Sequence, residues 1–166
     1  MRTLKITEYF GIKVKKNSDA RLLKPSEYGC SMVDESGSWL IVYEDTDTKE
    51  RIRFTVAHEL GHILLGHELE KGFKHYRRFV RNKPISETQA DEFAARILAP
   101  ACVLWGMNAT TADEIAALCG ISKTAAQVRA QRMAVLLERN KFLTHPLEQQ
   151  VYAAFKPWIE QQKTRL

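Results

Sequence analysis

Between Ile52 and Leu65 the chain reads Ile-Arg-Phe-Thr-Val-Ala-His-Glu-Leu-Gly-His-Ile-Leu-Leu. Wound as a helix, this segment is apolar over more than half of its circumference. Ile52, Val56, Ile63 and Leu64 form one stripe; Phe54, Ala57, Gly61 and Leu65 fill the adjacent one. A helix of that kind belongs inside a fold rather than on it. Yet its middle carries His58, Glu59 and His62, and polar groups taken out of water need partners. Any fold for this chain must therefore wrap other elements around this helix and give its polar residues something to do.

The flanking sequence supplies those elements. Cys30–Asp34 and Trp39–Tyr43 are apolar runs separated by Glu35-Ser36-Gly37-Ser38, the pattern of a hairpin with a longer loop. Residues 1–50 read as strands and turns, and the helical pattern begins after Asp45-Thr46-Asp47-Thr48. Downstream, Ser86 with Gln89 forms a capping box behind Pro84, and the apolar spacing Ala90, Phe93, Ala94, Ile97, Leu98 runs on until Pro100. Thr111 with Glu114 makes a second capping box, with Gly120 as the stop. Ser122 caps a long helix ending near Asn140; Thr144 and Pro146 open a last one that Pro157 kinks or ends. Strands first and helices after predict an α+β fold: a small N-terminal antiparallel sheet packed on the buried helix, then a mostly helical C-terminal half. The expected division is a core over residues 1–108 and a helical segment over 109–166.

Composition narrows the class of function. With 166 residues, 45% apolar and 27% charged, the chain matches an ordinary globular protein, and no apolar stretch approaches membrane-spanning length. Charges interrupt every apolar run near the N-terminus, so no signal peptide is expected. Cys30, Cys102 and Cys119 are odd in number and widely spaced, as for reduced thiols in a cytoplasm. The net charge of +5 permits nucleic-acid contact without demanding it. Lys71, Lys74, Arg77, Arg78, Arg81 and Lys83, interleaved with Phe73, Tyr76 and Phe79, read either as a solvated basic loop or as a surface for an acidic partner.

His58-Glu59-Leu60-Gly61-His62 is the pattern H-E-x-x-H. On a helix the two histidines stand about 40° apart and about 6 Å along the axis, so both imidazoles reach one ion. Zinc suits two imidazole nitrogens and an oxygen, and a carboxylate beside it can take a proton from metal-bound water and pass it on to a leaving amine. Glu59 is the candidate for that role. The third ligand has three sources. His67 follows Gly66 at a spacing that misses the extended three-histidine pattern by one residue. Glu87 would complete a His, His, Glu set. Glu92, turned about 100° from Asp91, is the third. Asp91, one turn after Glu87, can accept from the outer nitrogen of a ligand histidine. For stabilising the oxyanion, His75, Tyr76 and Arg53 are equal candidates.

The stretch Arg53–His62 resembles the signature of the ImmA/IrrE family of zinc metallopeptidases. So does Glu87–Pro100, which follows the family pattern E-x-x-A-(N/D)-x-F-A-x-x-L-L-x-P. The likeness runs from about Trp39 to Met133. It implies that His58, His62 and Glu87 hold zinc and that Glu59 is the catalytic acid–base. It also implies a bacterial or phage protein that cleaves a helix-turn-helix repressor, or acts on one in a stress or toxin–antitoxin circuit.

Residues Thr111–Met133 themselves look like a helix-turn-helix, with Ala116, Gly120 and Ile121 at its characteristic positions and Lys123, Gln127, Arg129 and Arg132 available to a phosphate backbone. An αα-hairpin packed against the catalytic helices explains the same pattern and is favoured. Three functions compete: a zinc endopeptidase acting on a regulatory protein, a DNA-binding regulator with a non-catalytic zinc, and an inactive scaffold that binds a repressor. Glu59 favours the first, because a structural site needs no general base. The expected partner is a protein substrate, with nucleic acid not favoured and no membrane.

Overall fold

The computed structural model describes residues 3–67, 74–77 and 84–164, with the backbone alone for residues 3, 4 and 74–77. The chain divides into two compact units between Leu98 and Ala99; the boundary expected from sequence is at residue 108.

The first unit runs α1 (Thr3–Tyr9), β1 (Lys13–Lys16), α2 (Asn17–Ala20), β2 (Gly29–Val33), β3 (Trp39–Tyr43), α3 (Lys49–Leu65), β4 (Lys74–Arg77) and α4 (Ile85–Leu98). Its strands form one sheet in the order β1-β3-β2-β4. The β2–β3 hairpin lies where the apolar runs place it, in antiparallel register from Gly29 opposite Tyr43 to Val33 opposite Trp39.

The α+β class holds, with two differences at the N-terminus. Residues 1–50 contain the short helices α1 and α2 as well as strands. The sheet is also mixed, because β1 pairs parallel to β3. Helices this short have little stability of their own, so packing decides them and local pattern does not reveal them. Lys-Val-Lys-Lys is likewise too polar to read as a strand; only its place beside β3 makes it one.

The buried helix is as the pattern requires. Nine consecutive residues of α3, Thr55 to Ile63, are buried. Thr48 caps it by accepting from the Arg51 N–H at 3.3 Å, and Gly66 ends it in the left-handed region at φ 72°. Leu60 and Ile63 pack with Ile12 and Ile41, while Cys30, Leu40 and Val42 form a second cluster. Alternation along β3 thus sends Ile41 to the first cluster and its neighbours to the second, so the middle of the sheet is buried on both faces. Helix α4 begins at Ile85, directly behind Pro84, whose carbonyl accepts from the Thr88 N–H at 3.3 Å. Ser86 is consequently inside the helix, not its cap, and Glu87 is its third residue.

The second unit contains α5 (Ala101–Gly106), α6 (Ala112–Cys119), α7 (Lys123–Glu138) and α8 (Pro146–Lys163). Thr111 and Glu114 make the expected reciprocal cap, Gly120 stops α6, and Ser122 caps α7. Helices α6 and α7 form the hairpin read from sequence. Helix α8 runs unbroken through Pro157, and its cap is His145 rather than Thr144. An interior proline forfeits a hydrogen bond, but Phe155 and Ile159 on either side of it pack with Cys102 and Val103 of α5 and hold the helix together. Among the described residues no helix is long and apolar enough to cross a membrane. Of the basic stretch Lys71–Lys83, Lys74–Arg77 is seen as the edge strand β4; the rest, and every side chain in it, lies outside the described residues.

Candidate metal centre

Helix α3 presents His58 and His62 one turn apart, as the helical period requires. Their Nε2 atoms are 3.0 Å from each other. Helix α4 packs alongside, and Glu87 reaches both: Oε2 lies 3.4 Å from His58 Nε2 and Oε1 lies 3.2 Å from His62 Nε2. All three residues are buried, and they form the group of potential metal donors found among the described residues.

The spacing tests whether a metal fits. A tetrahedral ion with arms of about 2.0–2.1 Å needs its donors about 3.3 Å apart. The separations of 3.0, 3.2 and 3.4 Å bracket that value. Two imidazoles and one carboxylate are also a donor set that zinc accepts while keeping a position open for water. The residues fit the ion.

Of the three candidate third ligands, Glu87 is the one brought to the histidines. Glu92 is exposed and bonds Arg96 at 2.7 Å. His67 stands on the outer side of His62, Nδ1 to Nδ1 at 3.1 Å. Asp91 Oδ1 lies 2.8 Å from His58 Nδ1, the position expected of a carboxylate that orients a ligand ring.

Glu59, between the histidines in sequence, is fully buried on the side of α3 that meets β2. The Ser31 hydroxyl of β2 donates to its Oε2 at 2.8 Å. Such a close approach of strand and helix depends on Gly29, where a Cβ would collide with Thr55 Cγ2 and come to 3.2 Å from Val42 O. Neither residue was visible as part of the site in the sequence, for a serine and a glycine in an apolar run carry no signal of what will pack above them. The sheet register sets His75 of β4 opposite Ser31; the side chains of His75 and Tyr76 lie outside the described residues.

Residues 7–131 match the Peptidase_M78 family, described as the IrrE N-terminal-like domain. No curated protein matches the chain.

Proposed function

This chain belongs to the Peptidase_M78 family, the IrrE N-terminal-like domain, and from that membership we propose that it is a zinc-dependent endopeptidase of restricted specificity. The observation that carries the reading is the convergence of His58, His62 and Glu87 at tetrahedral spacing, with Glu59 buried on the same helix as the two histidines. Those three residues would hold the ion, which when bound supplies Lewis acidity toward a carbonyl oxygen and acidifies water.

The remaining work falls to this chain's own groups. Glu59 takes the proton of the attacking water on its carboxylate and delivers it to the leaving amine nitrogen. Ser31, donating to Oε2, holds that carboxylate in one orientation. Asp91 accepts from the Nδ1–H of His58, which fixes the tautomer that leaves Nε2 as a ligand.

The resemblance to ImmA/IrrE proteins supports a helix-turn-helix repressor as the substrate, so that cleavage would release the genes it silences. The odd number and wide spacing of Cys30, Cys102 and Cys119 support a reducing compartment, the cytoplasm. The alternative, a regulator with a non-catalytic zinc, is disfavoured by the donor set, since structural zinc sites favour four protein ligands rich in cysteine.

The test pairs metal analysis with cleavage. The wild-type protein and Glu59→Gln should each hold one zinc per chain, while only the wild type cuts a co-encoded repressor on a gel. Equal cleavage by Glu59→Gln would remove Glu59 from its role; zinc binding without any cleavage would favour the regulator.

A further inference from the structure

The two ligand histidines are supported differently. His58 has the carboxylate of Asp91 at its outer nitrogen. At His62 the outer nitrogen, Nδ1, faces Nδ1 of His67 at 3.1 Å, and Nε2 of His67 in turn lies 3.0 Å from Gln89 Oε1. Resting on the metal-site reading above, we propose that His67 and Gln89 form a hydrogen-bonded chain that holds the proton of His62 on Nδ1 and keeps its Nε2 lone pair directed at the ion.

Each link in the chain follows from the one before. A histidine that ligates through Nε2 must carry its proton on Nδ1. That proton needs an acceptor, and the atom facing it is Nδ1 of His67. His67 can accept there only if its own proton sits on Nε2. Gln89 presents a carbonyl oxygen to that nitrogen, and a carbonyl can only accept. Three residues therefore settle on one arrangement of two protons, and no charged group is used.

Local backbone geometry explains how His67 comes to be there. At the end of α3 the His67 N–H donates to the His62 carbonyl at 3.0 Å, and the Gly66 N–H donates to the Ile63 carbonyl at 3.3 Å. This pair of bonds with a left-handed glycine is the Schellman ending, in which the residue after the glycine packs against the one five positions before it. That contact is usually hydrophobic. Here both of its members are histidines, so a common helix ending becomes the support for a ligand. Gln89, two residues beyond Glu87 on α4, completes the chain from the same helix that supplies the third donor.

His67 and Gln89 are positioning residues in this account, and the test must separate a hydrogen bond from mere packing. Zinc affinity is measured by competition with a chromophoric chelator on the full chain, and apo-protein thermal unfolding checks that each variant folds. His67→Phe keeps a ring against His62 but offers no acceptor, and should bind zinc about 10–100-fold more weakly. His67→Asn places a carbonyl oxygen where Nδ1 stood and should recover most of that loss. Gln89→Leu should fall between wild type and His67→Phe. Wild-type affinity in His67→Phe overturns the proposal, and so does an Asn variant as weak as the Phe one. If His67→Phe fails to fold, Gln89→Leu decides: undiminished affinity overturns the proposal and a several-fold loss supports it. Failure of the wild type to bind one zinc per chain is a different result, for it overturns the metal reading before any variant is compared.

Discussion

Gly61 of α3 lies against Ala90 of α4 so closely that a Cβ on Gly61 would stand 3.3 Å from the Ala90 Cα and 3.0 Å from Phe93 Cδ1. This contact lies beside the site, one residue before His62 and three after Glu87. It lets the two helices approach until the Glu87 carboxylate is 3.2 Å from His62.

Gly61→Ala should therefore weaken zinc binding more than it weakens the fold. Helix propensity gains about 0.5–1 kcal/mol from alanine, and overpacking costs about 1–3 kcal/mol, so the net loss of stability is small. The separation of the helices by a few tenths of an ångström acts directly on the donor spacing. Chelator competition and urea unfolding on the same samples check this; unchanged zinc affinity would show that the donors adjust independently of the helix contact.

Removing a donor and removing its support should differ in degree. Glu87→Ala should lose most of the bound zinc, whereas Asp91→Ala should lower affinity about 10–100-fold and leave binding measurable at high metal. Full occupancy in Glu87→Ala would require a different third ligand.

Ser31→Ala separates orientation from chemistry. It deletes the hydroxyl that donates to Glu59 Oε2 without touching a metal donor. Zinc content should remain at the wild-type level while kcat falls and KM stays close to its original value. A loss of zinc in this variant would mean that Ser31 supports the metal donors rather than the base.

The β2–β3 turn should show an acid-sensitive contribution. Asp34 accepts from Ser36, Ser38 and Lys13. Its carboxyl is held well below the usual range, first by the Lys13 bond and then by those to Ser36 and Ser38. A carboxyl with a depressed native pKa adds stability above its unfolded pKa and loses it as the pH falls through the native one. Wild type should then exceed Asp34→Ala in urea stability by a constant margin from pH 7 down to about 4, and the margin should shrink below that. A margin independent of pH throughout would show that the charged form of Asp34 is not what stabilises the turn.

Much of this protein is written in short-range pattern. The helical period alone put His58 and His62 on one face. The breadth of the apolar surface around them required burial, and α3 is buried over nine consecutive residues. Capping residues at Thr111, Ser122 and Gly120 marked helix ends correctly because a cap is a contact between residues a few positions apart. Even the meeting of His67 with His62 follows from a rule about residues flanking Gly66, although by spacing alone His67 stands out only as a rival third ligand. What pattern could not decide is which elements lie side by side. Glu87, Glu92 and His67 all had the chemistry to be the third donor, and the packing of α4 on α3 through Gly61 turned Glu87 inward. Ser31 meets Glu59 across 28 residues of chain, and Lys13–Lys16 is a strand only because β3 lies beside it. Spacing within one element is set by the backbone's own repeat, but a contact between elements exists only once side chains from distant parts of the chain compete for the same buried space.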